Sequence, residues 1–252
     1  MQLNELVAYA DRLLAVENFS DYCPNGLQVQ GRAKVRMLVG GVTACQALLD
    51  VAIERQADAV LVHHGYFWKG EDPRIVGIRY QRLRTLLRHD LSLLAYHLPL
   101  DAHPLYGNNV QLAARLNLIL EDNFGPSGRG PAIGCLGTLV EPVSGPEFAA
   151  RIAVTLERQP LHLPGTVPLI RRLAWCTGAA QSYLEAAIEQ KVDAFLTGEI
   201  SEPTVHLARE AGLHYFAAGH HATERYGVQA LGAHLAEQFG LQFAFVDIAN
   251  PV

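Results

Sequence analysis

The sequence lacks any apolar run of the roughly 18–20 residues that a membrane-spanning helix needs. It also lacks a basic segment ahead of an apolar core at its N-terminus, so we predict no signal peptide and a cytoplasmic protein. Clustered cations are scarce, since the longest run of Lys and Arg is Arg171-Arg172 and the net charge is −5. A surface that neutralises duplex nucleic acid is therefore not expected.

Cysteine is scarce as well. The four cysteines are far apart and form no CxxC pair, which disfavours a disulfide framework and a zinc knuckle. The absence of a GxSxG motif and of a Walker-type loop disfavours a serine hydrolase and a P-loop nucleotide site. Histidine, by contrast, occurs eleven times, and several histidines stand in pairs close to acidic residues. The histidines are therefore the first place to look for chemistry.

An internal repeat organises the chain. The 252 residues, half of them hydrophobic, suit one large α/β domain or two lobes. Residues 36–65 resemble residues 171–200 at an offset of 135, and eight of the sixteen positions in 46–61 are identical in 181–196. This density of identities favours a duplication over a chance likeness between two α/β segments.

Each copy has the pattern of a strand, a small-residue turn, an amphipathic helix and a second strand, which predicts a βαβ unit with parallel strands. We therefore predict an α/β fold of two duplicated lobes, with mainly parallel sheets flanked by helices. The Gly/Pro-rich segment 123–134 is predicted to be a loop or linker. The lobes are predicted to span 1–125 and 126–252, and the C-terminal part can pack on the first lobe.

Polar side chains follow the predicted strands, at the edge where open parallel sheets bind ligands. In chain order these are His63-His64, His97 with Asp101, Gly198-Glu199, and His220-His221 with Glu224. Imidazole and carboxylate together suit Zn²⁺, Fe²⁺, Mn²⁺, Co²⁺ or Ni²⁺. At a strand's exit, adjacent histidines can serve two metal ions. His63, His64, Asp101, His220 and Glu224 are therefore candidate ligands of a two-metal site.

Simpler interpretations exist for each motif alone. A His-His pair after a strand is commonly a polar loop, and a His/Glu pair at i, i+4 is commonly a helix surface pair. Their joint occurrence at matching strand ends favours a metal site. His97 is expected beside the ligands, whereas His89, His162 and His234 are expected at the surface or at helix caps. The roles of His97, His103, His206, His214 and His221 stay open.

Several segments together resemble the dinuclear metal-centre family known as GTP cyclohydrolase 1 type 2, or Nif-three-like. They are DYCPNGLQV (21–29), GVTA (41–44), VHHGYFWKG (62–70), HLPLDAHPLYGNN (97–109), TGE (197–199) and AAGHHATER (217–225). The resemblance runs along nearly the whole chain, is most marked to short bacterial members, and is highly specific in combination. It implies the Nif-three-like fold and a toroidal homohexamer.

The resemblance also implies a ligand set. Position by position, the ligands of two divalent ions fall on His63, His64, Asp101, His220 and Glu224, with Glu224 as the implied bridge. The sequence departs from the family in having HHG where many members have HHP, and in doubling the second-lobe histidine as His220-His221. The spacing to Glu224 favours His220. The segment between the copies is too short for the inserted domain of longer members.

The implied reaction is hydrolytic. A metal-bound hydroxide would open the imidazole ring of the guanine of GTP and release formate, with His97 as the proton-shuttling catalytic residue. Lys69, Arg74 and Arg225 are candidates for contacting the phosphates of such a small-molecule substrate.

Two other classes of function remain open at this level. One is another metal-dependent hydrolase, acting on a phosphoester or a cyclic amide. The other is a non-enzymatic protein that stores, delivers or senses metal, or a hexameric scaffold.

Overall fold

The structure is a computed structural model that describes residues 1–125 and 131–252. The described residues form two compact units. The first comprises Met1–Tyr106 and Gly227–Ala249, and the second comprises Gly107–Tyr226 and Asn250–Val252. In the described ranges, no helix combines the length and the apolar character that crossing a bilayer requires.

The first unit is built on a five-stranded sheet. Its strands are β1 (Gly26–Val29), β2 (Met37–Thr43), β3 (Ala59–His64), β4 (Ser92–Ala95) and β11 (Gln242–Phe245), and its helices are α1 (Leu3–Leu13), α2 (Gln46–Glu54), α3 (Gly77–Arg88), α4 (Leu98–Ala102) and α10 (Arg225–Phe239). The strand order is β1-β4-β3-β2-β11. All neighbours are parallel except the edge strand β1, which is antiparallel to β4.

Both faces of this sheet are covered by helices, which explains the nearly continuous apolar sequence of its central strands. On one face Val60 and Val62 pack in a cluster with Leu48 of α2 and Leu86 of α3. On the other face Leu61 belongs to a cluster that includes residues of α1 and α10. The carboxyl ends of β2, β3 and β4 are left as the polar edge of the unit.

The second unit is built on a six-stranded sheet of order β5-β6-β8-β9-β10-β7. Its strands are β5 (Leu118–Phe124), β6 (Gly134–Val143), β7 (Leu161–Leu163), β8 (Ile170–Cys176), β9 (Ala194–Thr197) and β10 (His214–Ala217), and its helices are α5 (Asn108–Leu116), α6 (Gly145–Leu156), α7 (Leu184–Glu189), α8 (Glu202–Ala211) and α9 (His220–Thr223). The strands β8, β9 and β10 are parallel, and the outer pairings are antiparallel.

The repeat is visible in the pairing of the strands. Leu38 of β2 pairs with Ala59 of β3, and Leu173 of β8 pairs with Ala194 of β9, so the register recurs at the offset of 135. The repeated aspartate has one function in both copies. The Oδ2 atom of Asp58 accepts the backbone N–H groups of residues 36 and 37, and that of Asp193 accepts those of residues 171 and 172. Each carboxylate therefore ties the start of the second strand to the start of the first.

The predicted fold class is confirmed, since the chain is an α/β protein with two sheets flanked by helices. The edge strands β1, β5 and β7 were not predicted, because short or largely exposed edge strands carry no clear apolar pattern. Around the predicted loop 123–134, β5 ends at Phe124 and pairs antiparallel with β6 from Gly134. Residues 126–130 of that prediction lie outside the described residues.

The compact units divide the chain elsewhere than at the predicted boundary of 125/126. The strand β5 pairs with β6, so residues 107–125 belong to the second unit. The strand β11 pairs with β2, so residues 227–249 belong to the first. Strand pairing, which the local sequence does not reveal, therefore decides where the chain divides.

Candidate functional site

The first unit gathers three histidines at the carboxyl ends of its central strands. His63 and His64 are the last two residues of β3, and His97 follows the neighbouring strand β4. The ring centroid of His63 lies 4.6 Å from that of His64 and 5.1 Å from that of His97. One ring nitrogen from each histidine lies within 4.8 Å of those of the other two. The parallel pairing of β3 with β4 thus brings together residues that are 33 or 34 positions apart in sequence.

His63 is fully buried and has a defined orientation. Its Nδ1 lies 2.9 Å from the carbonyl oxygen of Tyr96. Because a carbonyl can only accept, Nδ1 carries the proton and Nε2 faces the other way. Nε2 lies 3.4 Å from Oδ1 of the buried Asp101. A histidine that donates its far N–H to a backbone carbonyl while its other nitrogen faces a carboxylate has the arrangement of a metal ligand.

Asp101 reaches this position because α4 begins directly after His97. The backbone N–H of Asp101 donates to the carbonyl of His97 in the first turn of that helix. His64 lies opposite Thr43, the last residue of β2, and its Nδ1 is 3.2 Å from the hydroxyl oxygen of Thr43. His64 is half-buried.

His97 is held by an acidic partner that sequence reasoning did not identify. Its Nδ1 lies 2.7 Å from Oδ1 of Asp21. The same carboxylate accepts the side-chain amide of Asn25 and the backbone N–H of Leu98. Burial alone would raise the pKa of Asp21, but the hydrogen bond and charge of His97, with the hydrogen bonds from Asn25 and from the backbone N–H of Tyr22, lower it. His97 thus has a fixed ring beside His63 and His64, and its predicted catalytic role stays a prediction.

A thiol lies next to this pair. Donor atoms of Asp21, Cys23 and His97 lie within 4.8 Å of one another. Burial, with a contribution from the Asp21 charge, raises the pKa of Cys23 to about 12. Without a metal ion, the sulfur is therefore a neutral thiol at physiological pH.

The second unit presents one histidine between two carboxylates. Nδ1 of His220 lies 2.7 Å from Oε1 of Glu199, and Nε2 lies 3.1 Å from Oε2 of Glu224. Glu199 follows β9, whereas His220 begins the short helix α9 after β10. Burial alone would lower the pKa of His220, but the hydrogen bonds and charges of Glu224 and Glu199 outweigh it and raise the pKa to about 9.

The geometry of the second set depends on a glycine. Gly178 has φ of +70°, and a Cβ atom there would lie 2.0 Å from Oε1 of Glu224. The backbone N–H of Gly178 donates to the hydroxyl of Thr223, beside Glu224 in sequence. Only a residue without a Cβ lets the backbone approach the carboxylate this closely.

The contacts with both carboxylates are made by His220, and the choice of His220 over His221 as a ligand stays a prediction.

Of the cations proposed for phosphates, Arg74 forms a bidentate pair with Asp72, through Nε to Oδ1 and through Nη2 to Oδ2. Arg225 donates to the carbonyl of Leu156. Lys69 is exposed in the loop that follows the His63-His64 pair.

The remaining histidines divide into exposed and packed. His89 is exposed at the C-cap of α3, as expected. His162 instead stacks on Phe216 with ring centroids 4.5 Å apart, and His234 hydrogen-bonds through its two nitrogens to the hydroxyls of Tyr9 and Tyr106. Both are half-buried and pack against aromatic rings that come from distant segments.

Asp21, Thr43 and Glu199 are the residues of the site that sequence reasoning left without a role. Asp21 opens the DYCPNG segment, Thr43 lies in GVTA and Glu199 ends TGE. The only sign in the sequence that these three residues belong to the site was that each lies in a segment that resembles the family. The pairing of each residue with a particular histidine depends on which strands are neighbours.

Comparisons with known proteins agree along the whole chain. The family model of Duf34/NIF3 (NGG1p interacting factor 3) matches residues 1–251. The GTP cyclohydrolase 1 type 2 homolog of Pseudomonas aeruginosa is 57% identical over 249 residues, covering 99% of this chain and 98% of that protein. The homolog of Vibrio cholerae is 50% identical over 98% of each chain.

A solved structure gives the same result. The protein ybgI, described as of unknown function, matches with a TM-score of 0.96 at 49% identity, over 100% of both chains. The family match and the identities extend far beyond the histidine motifs, so they cannot come from a shared local pattern. The chain belongs to the Duf34/NIF3 family.

Proposed function

We propose that this chain is a metal-dependent hydrolase of the GTP cyclohydrolase 1 type 2 kind. The proposed ligands of two divalent ions are His63, His64, Asp101, His220 and Glu224. One observation carries the proposal: each unit holds a histidine whose Nδ1 is hydrogen-bonded and whose Nε2 faces a carboxylate. These are His63 with Asp101 and His220 with Glu224. Such donors fit Zn²⁺, Fe²⁺, Mn²⁺, Co²⁺ or Ni²⁺.

Divalent ions with open coordination positions would supply acidified water near neutral pH. The chain's own part in the reaction is to orient groups and to move protons. Asp21 holds the ring of His97 at Nδ1, so that Nε2 of His97 is the atom available for proton transfer. The buried position of His63 and Asp101 limits the water that reaches this part of the site.

The proposed substrate is GTP, opened at the imidazole ring of its guanine with release of formate. The names of the similar proteins of Pseudomonas aeruginosa and Vibrio cholerae support this choice. Lys69 is the cation best suited to the phosphates, because Arg74 and Arg225 already have partners within the protein. The proposed assembly is a toroidal homohexamer, for which sizing should give a mass several-fold above 27.6 kDa.

Metal analysis joined to product assays tests this function. We expect near two equivalents of transition metal per chain and formate release from GTP. His63→Ala and Glu224→Ala should each lose metal and activity, whereas the surface variant His89→Ala should keep both. Metal below about 0.2 equivalents after reloading would overturn the two-metal proposal.

The same preparations separate the alternative functions. Phosphate release without formate would indicate a phosphoesterase. A full complement of metal without turnover of any substrate in a panel would indicate storage, delivery or a scaffold.

A further inference from the structure

The indole of Trp68 forms an aromatic wall beside the histidines of the first unit. Its ring centroid lies 5.0 Å from that of His97, with the two rings nearly perpendicular at 86°. It lies 6.0 Å from the ring of His64. Trp68 is partly exposed, whereas Trp175, the other tryptophan of the chain, is fully buried. A large apolar ring thus lies at the surface next to polar donors.

The orientation of this ring is fixed within the protein. The indole Nε1–H donates to the carbonyl of Gly65 at 3.2 Å, so the one polar atom of the side chain is used internally. The backbone is held on both sides, because Tyr66 N–H donates to Gln28 and Lys69 N–H donates to the carbonyl of Tyr22. What the indole offers a ligand is therefore its π surface, already oriented.

The residue before Trp68 has a strained backbone. Phe67 has φ of +66°, a left-handed conformation that residues with a Cβ rarely adopt. Such conformations persist where the surroundings impose them, and they cluster at ligand-binding segments. This strain, next to a wall of fixed orientation, indicates that the loop 65–69 is shaped for binding.

We propose that Trp68 is a stacking platform for a planar heteroaromatic ring, specifically a purine base carrying phosphate. The inference rests on the proposed function and names the residue that holds the base. A ring stacked on the indole lies beside His64 and His97, the side chains nearest to the proposed chemistry. Lys69 supplies an adjacent cation for phosphate, and in the described part of the chain its ammonium forms no hydrogen bond or ion pair. Stacking on an aromatic face and attraction to a cation together select a nucleotide.

Calorimetric titration with GMP, and with ribose 5-phosphate as the ligand that lacks a base, tests the proposal on the metal-loaded protein. Trp68→Leu should bind GMP about 5- to 100-fold more weakly than the wild type. Trp68→Phe should keep most of the affinity, and ribose 5-phosphate should bind equally to all variants. The matched control is Tyr80→Leu, which removes an exposed ring that contacts none of these histidines in the described structure.

Intrinsic tryptophan fluorescence gives a second readout of GMP binding, independent of the calorimetric affinities. GMP should quench the wild type but not Trp68→Phe, since both proteins retain the buried Trp175. Equal GMP affinity in Trp68→Leu and the wild type, or no GMP binding to the wild type, would overturn the stacking role. Metal content measured on the same samples tests the proposed two-metal function and not the stacking role of Trp68. A failure of the proposed function can therefore be distinguished from a failure of the stacking proposal.

Discussion

The two copies of the duplicated unit place different side chains at the same position of the fold. At the offset of 135, His63 and His64 of the first copy correspond to Gly198 and Glu199 of the second. In the first copy, the end of β3 itself carries imidazoles. In the second copy, a Cβ on Gly198 would lie 2.7 Å from Cα of His220, so the glycine leaves room for that histidine to approach from α9.

The neighbouring strand differs in the same way. Thr43, at the end of β2, corresponds to Gly178, which follows β8. Thr43 contacts the ring of His64, whereas Gly178 makes room for the carboxylate of Glu224. The strand register and the contacts of Asp58 and Asp193 are the same in the two copies, whereas the residues at the strand ends differ. A duplicated unit can thus provide a histidine-rich donor set and a carboxylate-rich one without a change of register.

The largest expected effect comes from giving Gly178 a side chain. Gly178→Ala should displace Glu224, lower the metal content, and destabilise the protein by more than the roughly 1–2 kcal/mol that a left-handed Ala costs. Gly240→Ala is the matched control, because Gly240 has φ of +64° but no atom within 4 Å of its Cβ position. Denaturant titration and metal analysis of the two variants separate backbone strain from the clash. Equal losses in both variants would show that Gly178 makes no room for Glu224.

The next effect concerns pH in the metal-free protein. The pKa of His220 is raised from 6.5 to about 9, so the folded state binds this proton more tightly than the unfolded state. Its stabilisation, on the order of 3 kcal/mol, is complete below about pH 6.5 and is lost as the pH rises towards 9. The difference in unfolding free energy between wild type and His220→Gln, measured after chelation, should shrink from pH 6 to pH 9. A difference that stays constant across this range would argue against the charged pairing.

A smaller effect compares the partners of the two donor sets. Glu199→Gln should weaken metal binding about 10- to 100-fold, because the neutral amide no longer supports the charge and orientation of His220. Thr43→Val should weaken it less, because a hydroxyl is a neutral partner of His64. Competition with a chelating dye measures both affinities. If Thr43→Val weakens metal binding as much as Glu199→Gln does, a charged partner supports its histidine no better than a neutral hydroxyl, and the expected difference between the two donor sets is wrong.

Much of this architecture could be predicted from local pattern. Apolar strands followed by amphipathic helices predicted the parallel core, because periodicity reports which side of an element is buried. The identities between residues 46–61 and 181–196 predicted the recurring unit. The edge strand β5 was missed, because its central residues are exposed and show no alternation.

The candidate site was predictable in its residue types but not in its pairings. His63 and Asp101 were expected to be ligands from their positions after strands, and they lie 3.4 Å apart within one unit. The pairing of Asp21 with His97, 76 positions apart, had no counterpart in the sequence pattern. Joint metal binding by both donor sets, the hexamer and the cytoplasmic location stay predictions.

By itself, the sequence determined the α/β class, the duplication and the kind of donor atoms that follow each strand, because these depend on short-range order along the chain. Only the tertiary structure decided which carboxylate orients which histidine, that Gly178 must lack a side chain, and that β11 joins the first sheet. These outcomes depend on which strands become neighbours and in what register. Distant segments meet through that pairing, and no local pattern records it.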